Sequence, residues 1–454
     1  MDSVTARAVG TKEFGEQVMR KVSWRLIPLM MLLFFLAFVD RVNVGFAALT
    51  MNKDLGLSAS IFGTGAGIFF VGYCLFEVPS NVILDKLGAR KWLARIMVTW
   101  GLISAGMAFT QGPKSFYVLR FLLGMAEAGL FPGLILYLTY WFPASYKGKI
   151  IGAFMTAIPM SSVIGAPISG WLLGVTGWGM TGWQWMFVLE GIPSVIVGIF
   201  VFFGMTDKPQ KAAWLTEDEK DWLVRVLDNE RRTRESVHHF TLREALTYPR
   251  VIALGVIHAG MQVALYGFNF WVPTIVKGLG GGGLLTNVQV GFLAMIPYAC
   301  GAAAMILWGR HSDRTGERTW HVALAGICGG VGLACSGFLG GSPTLGLAAL
   351  SLASIGIMAM YPTFWTLPTS LLSGRAAAGG IALISAIGNM LAYFGPSVMG
   401  YLRDLTKSYT YGLLALAAGI VLSAIGTLIL GHNPALEESG ILKEEAKAKV
   451  AKAG

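Results

Sequence analysis

The sequence predicts an all-α, polytopic membrane protein: twelve transmembrane helices in two six-helix halves. Three observations predict it. Hydrophobic residues make up 54% of 454 and charged ones only 13%, gathered into runs that meet the about 20 apolar residues a bilayer span needs. The chain holds 59 glycines, and small residues let membrane helices approach closely. One charged motif also recurs half a chain apart. A soluble α/β enzyme would show polar helix faces between its strands, and none recur here.

Apolar runs read against Gly, Pro and charged breaks place six spans near 24–48, 60–84, 92–110, 115–141, 149–174 and 184–205. The first begins at Trp24, after a polar segment 1–23 with no cleavable signal, so it is expected to serve as its own insertion signal. The second ends at Asp85-Lys86, and the third at Gln111-Gly112-Pro113. The fourth stops at Phe142-Pro143, the fifth follows Lys147 and Lys149, and the sixth ends before Asp207-Lys208-Pro209. Six more spans lie near 250–276, 287–309, 319–339, 343–368, 378–402 and 410–431. The domains are therefore a cytoplasmic segment 1–23, a bundle 24–205, a cytoplasmic linker 206–249, a bundle 250–431 and a cytoplasmic tail 432–454. In the linker, Thr216 and Glu219 have capping-box spacing and predict a surface helix. The linker joins the halves, with regulation or partner docking as the alternative.

The net charge of +10 invites a nucleic-acid partner, but its distribution removes the need for one. With the N-terminus inside, 28 of the 35 Lys and Arg fall in cytoplasmic segments. Arg41 and Arg120 are intramembrane, and Lys53, Lys114, Lys277, Arg403 and Lys407 lie opposite. That asymmetry is the positive-inside rule. Cys74, Cys300, Cys328 and Cys335 all fall in apolar spans without CxxC spacing, so neither a disulfide framework nor a metal site is expected. No Walker A, HExxH or GxSxG motif is present, so the reading is a non-enzyme without a cofactor.

The repeat supports six plus six. After span 2 stand Asn81, Asp85, Lys86, Gly88, Arg90 and Lys91; after span 8 stand Gly309, Asp313, Arg314, Gly316 and Arg318. In both, an Asp ends a helix, a Gly permits a tight turn, and basic residues hold the loop inside while pairing across helices. This repeated motif resembles the signature of the major facilitator superfamily, with Asn81 in place of the first Gly. Phe38-Val39-Asp40-Arg41-Val42-Asn43, Phe76-Glu77-Val78-Pro79-Ser80-Asn81 and the run Arg120 to Gly129 resemble its anion:cation symporter branch. So do Trp185 to Gly191, Phe270 to Thr274, and Ala376 to Ala382 running into Gly388-Asn389. Within that branch the chain is most similar to bacterial permeases for tartrate, phthalate and related organic acids. The resemblance implies the major facilitator fold and proton-coupled uptake of an organic anion, by rocking of the halves about a midplane site. It also implies a bacterial inner-membrane protein working as a monomer among lipid.

An ionisable residue in mid-membrane costs about 2.5–3.5 kcal/mol even on lenient scales, so the intramembrane charges are the candidate site. Asp40 and Arg41 are adjacent, point about 100° apart, and cannot face one partner. Arg120 and Glu127, seven apart, share a helix face about 10 Å apart along the axis, and Tyr73 and Glu77 share another. By the resemblance, Asp40 and Glu127 carry protons. Arg41 and Tyr73 help bind the substrate, Arg120 holds Glu127 or the anion, and Asn389 contacts substrate. The competing reading makes both acids permanent structural partners of the arginines. Glu77 and Glu190, near span ends, suit helix pairing or coupling equally. His258 suits a helix contact or a titrating role. Tyr361, Phe364 and Trp365 form one face that either lines the substrate path or packs helices, and Pro273, Pro362 and Pro368 are expected to break helical hydrogen bonding. Gly165 to Gly170 partly matches a pattern of antiporters. An anion exchanger, a drug/proton antiporter and a non-transporting sensor of an organic acid stand as alternatives.

Overall fold

The structure, a computed structural model, describes residues 12–143, 146, 150, 154–235, 249–279, 285–371 and 374–431. The expected cytoplasmic tail 432–454 and residues 1–11 of the N-terminal segment lie outside these. Eleven helices among the described residues are long and apolar enough to cross a membrane. A shorter apolar helix, Ala157–Leu172, stands where the fifth span is expected. The chain separates into two compact units, Met1–Leu57 with Ile68–Val237, and Ser58–Gly67 with His238–Gly454.

The first unit contains α1 (Lys12–Asp54), most of α2 (Ala59–Leu87), α3 (Ala89–Gly106), α4 (Pro113–Glu127), α5 (Leu130–Trp141), α6 (Ala157–Leu172), α7 (Gly182–Gly204) and α8 (Glu217–Glu235). α1 starts twelve residues before the predicted span. Its first turns have a partner: Lys21 Nζ lies 2.7 Å from Glu219 of α8, and the Phe14 and Trp222 rings meet edge to face at 6.3 Å. The linker helix α8 thus belongs to the first unit. It carries the predicted capping box, with Thr216 N–H donating to Glu219 Oε2 at 2.9 Å and Glu219 N–H to Thr216 Oγ1 at 3.3 Å.

The predicted fourth span is two helices. Ala128 turns extended (ψ 131°) and Gly129 adopts φ 87°, ψ −2°, so α4 ends at Glu127 and α5 restarts at Leu130. Only glycine takes this conformation at no cost, and a Cβ on Gly129 would stand 2.3 Å from Ser80 Oγ. Gly129→Ala should therefore lower the thermal midpoint of the purified protein, the left-handed backbone alone costing about 1–2 kcal/mol. Adding Ser80→Gly should restore only part. An unshifted midpoint in Gly129→Ala would show that the break straightens without cost.

The second unit contains the first turns of α2, then α9 (Pro249–Leu279), α10 (Asn287–Thr315), α11 (Thr319–Phe338), α12 (Pro343–Phe364), α13 (Thr366–Leu371), α14 (Gly374–Leu391), α15 (Phe394–Thr406) and α16 (Thr410–Leu430). α9 continues through Pro273, which has no N–H to give the turn before it, and Pro362 stands two residues before α12 ends. The start of α2 packs on α15 backbone to backbone: a Cβ on Gly63 would lie 2.2 Å from Pro396 O, and one on Gly400 2.2 Å from Ala59 O. Asp404 accepts the Ala59 and Ser60 N–H groups at 3.2 and 2.7 Å, serving orphan donors at a helix N-terminus.

Candidate functional site

In the first unit the intramembrane charges divide as their adjacency requires. Arg41 turns to α4 and its Nη2 pairs with Glu127 Oε1. Its guanidinium lies 5.0 Å from the Phe38 ring, 5.2 Å from Phe69 and 5.3 Å from Tyr73. Rings that replace water about a cation contribute about 0.5–2 kcal/mol each, or more, and they keep the local dielectric low. Arg120, 0% exposed, lies over the other part of the same cluster, 5.0 Å from Phe69, and acts electrostatically on Glu127. Glu127, 1% exposed, thus bonds to Arg41 and also feels the charge of Arg120.

Asp40 turns the other way. It accepts Ser104 Oγ–H at 2.8 Å and the Asn43 amide at 3.3 Å on Oδ1, and Ser194 Oγ–H at 3.1 Å on Oδ2. Glu190, also buried, accepts Ser169 Oγ–H at 2.7 Å. Both acids are bedded in neutral donors, unlike Glu127. Glu77 is half-buried one turn beyond Tyr73, and its backbone carbonyl accepts the Asn81 amide at 2.8 Å. Ser104, Ser194, Phe38 and Phe69 were not legible as site residues, because serine and phenylalanine are ordinary in apolar spans.

The second unit offers neutral polar groups. Gln262 donates to Asn389 Oδ1 at 2.8 Å and accepts the Tyr361 hydroxyl, so α9 joins the two expected residues through one amide. A signal for Gln262 exists: His258, Gln262 and Tyr266 fall every four residues on α9, a polar stripe in an apolar helix. Tyr361, Phe364 and Trp365 do share one face, all packing round the His258 ring at 6.4, 5.4 and 4.9 Å. His258 Nδ1 lies 3.2 Å from Ile384 O.

The two motif copies make different loops. In the first, Gly88 has φ 90°, the Arg90 N–H donates to Asp207 Oδ1 at 2.7 Å, and Tyr140 donates to Asp85 at 3.0 Å. Asp207, beyond span 6, was missed because nothing local marks its partner. In the second, Gly316 has φ 69° and Arg318 donates to Asp313 at 2.7 Å, while Arg314 is exposed. Glu317 accepts the Trp320 and His321 N–H groups at 2.6 and 3.1 Å, capping α11. Burial alone would raise its carboxyl, but these backbone bonds and His321 outweigh it and hold it below the usual range. A depressed carboxylate contributes stability above its unfolded titration, lost as pH falls through the folded one. Glu317→Ala should thus cost about 1 kcal/mol at neutral pH, and the gap to wild type in thermal midpoint should close on acidification. A gap that persists in acid would rule out the charged cap.

Helices long and apolar enough to cross a membrane, with an ion pair buried among them, are the parts from which a membrane transporter is built. The chain belongs to the Major Facilitator Superfamily, whose pattern matches residues 30–396. It is 52% identical over 420 residues to a protein of Agrobacterium vitis named for tartrate transport, covering 92% of this chain and 95% of that one. It is 41% identical over 419 residues to the quinolone resistance transporter of Acinetobacter baumannii, covering 92% and 96%. Its fold is similar to a bacterial homologue of the human lysosomal transporter Spinster solved inward-facing, with TM-score 0.73 at 16% identity over 93% of this chain and 98% of that one.

Proposed function

We propose that the protein imports an organic acid anion, a tartrate- or phthalate-like hydroxy or aromatic carboxylate, together with protons by alternating access. The observation that carries the reading is the Arg41–Glu127 pair within the membrane, ringed by Phe38, Phe69 and Tyr73. An incoming carboxylate matches the guanidinium fork and competes with Glu127 for it. A carboxylate that loses its cation in a low-dielectric interior is costly, so Glu127 takes up a proton as the substrate binds. The two bindings then favour each other, which is linkage. Asp40, with no bonded cation, carries a proton in its own right. In the first unit Arg41, Tyr73 and Arg120 hold the anion; in the second, Asn389 and Tyr361 are the polar groups available to a substrate. The Asp85–Gly88–Arg90 and Asp313–Gly316–Arg318 loops brace the cytoplasmic ends that gate access. The protein works as a monomer in a bacterial inner membrane with both termini cytoplasmic.

A second reading, proton-driven drug efflux or anion exchange, is favoured by the likeness to the quinolone resistance transporter; quinolones are themselves aromatic carboxylates. Proteoliposomes separate the two. External addition of tartrate or phthalate should make the outside more alkaline as protons enter with the anion. A requirement for counter-substrate inside, or acid release on drug loading, would replace symport with exchange or efflux.

A further inference from the structure

Glu190, the third buried acid of the first unit, has no part in the mechanism above, and its surroundings give it one. α3 and α7 cross at glycines: a Cβ on Gly101 would stand 2.8 Å from Gly191 O, and one on Gly191 2.7 Å from Gly101 O. That approach brings Ser104 of α3 against the α7 turn carrying Glu190 and Ser194. Gly165 of α6 faces Val39 of α1, its added Cβ 3.3 Å away, and Ser169 one turn later reaches Glu190. The Asn43 amide donates to Asp40 Oδ1 at 3.3 Å, and Ser194, which also serves Asp40, lies one turn beyond Glu190 on α7. Two carboxyls from different helices therefore lie in one buried cluster.

Two acceptors in this cluster are left over. Glu190 Oε2 and Asn43 Oδ1 are buried without a hydrogen-bond partner, on residues 6% and 1% exposed. Two ionised carboxylates in one cluster, served by serine hydroxyls and a single amide, would be a heavily uncompensated charge. A proton removes one charge and turns an orphan oxygen into a donor. We propose that Asp40 and Glu190 form a dyad that holds the coupling proton, with Glu190 a proton-binding residue of the transport cycle. This rests on the symport reading. The groups facing the pair are Ser104 from α3, Ser169 from α6, Ser194 from α7 and, acting on Asp40 across space, Glu127 of α4. The neighbouring cations Arg41 and Arg120 bear on Glu127.

A dyad titrates as a unit, which gives the test. Uptake of labelled tartrate into proteoliposomes is measured against external pH for wild type, Glu190→Gln and Ser169→Ala, with membrane potential clamped. Removing the like charge at Glu190 should move the half-maximal pH toward acid by about one unit, a tenfold change in proton affinity. Ser169→Ala, which keeps the carboxyl but removes its donor, should move it toward alkali and serves if Glu190→Gln fails to assemble. Profiles of both variants that overlay an acid-stimulated wild type would overturn the dyad while leaving symport intact. A wild type indifferent to pH would overturn symport itself. Uptake driven by a sodium gradient at constant pH would hand the orphan oxygens to sodium and overturn the proton assignment.

Discussion

Replacing Asp40 with Asn should abolish acid-driven accumulation of substrate while leaving substrate exchange across the membrane intact. Asn keeps the size of the side chain, an oxygen to accept the Ser104 hydroxyl at Oδ1 and an NH₂ that can donate to Ser194 Oγ, the two serines lying 2.8 and 3.1 Å from the carboxylate, so the helices keep their packing. What it loses is a titratable group. One pH unit across the membrane is worth about 1.36 kcal/mol per proton, or about tenfold accumulation, and that factor should fall to one. Two assays check it: uptake driven by an imposed pH gradient, and counterflow of labelled acid against unlabelled acid. Retained concentration of substrate in the variant would remove Asp40 from coupling, and loss of counterflow as well would make its role structural.

Arg41 should show the largest effect on both stability and binding. Breaking a buried ion pair by removing one partner costs about 3–5 kcal/mol, mostly from the stranded charge. Arg41→Ala strands Glu127, and should lower the thermal midpoint and abolish binding. Arg41→Ala with Glu127→Gln should regain much of the midpoint but none of the binding, since neutral Gln no longer needs the cation. Arg41→Lys keeps the charge and loses the planar fork that a carboxylate accepts two-pronged, so substrate affinity should drop about tenfold or more, as the loss of one charge-assisted hydrogen bond implies. Thermal unfolding in detergent and equilibrium binding of labelled acid measure these. Wild-type affinity in Arg41→Lys would take Arg41 out of substrate recognition.

The sequence announced the fold because lipid leaves few choices: long apolar runs and glycine mark where a helix can cross. It also announced that Asp40 and Arg41 diverge, since adjacent helical residues must. It did not announce that Glu127 pairs across to α1, because Arg120 on its own helix is an equal candidate until α1 and α4 are side by side. The interruption after Glu127 was hidden by the abundance of glycine: Gly129 is one of 59, and nothing local tells a hinge from a close contact. The serines about Asp40 were silent because a hydroxyl carries no charge and is tolerated in any membrane helix. Gln262 was legible in principle, from its spacing to His258 and Tyr266, yet the stripe only gains meaning once Asn389 and Tyr361 are seen on either side of it.

The seam between the start of α2 and α15 is largely main chain against main chain, closed at one end by Asp404 gripping two amides. Such a surface has few rotamers to comb out, so the seam, if parted, would mate again in a single register, like a press-stud. One methyl group at position 63 or 400 would act as a wedge, holding the stud ajar while leaving every charged residue of the membrane interior untouched.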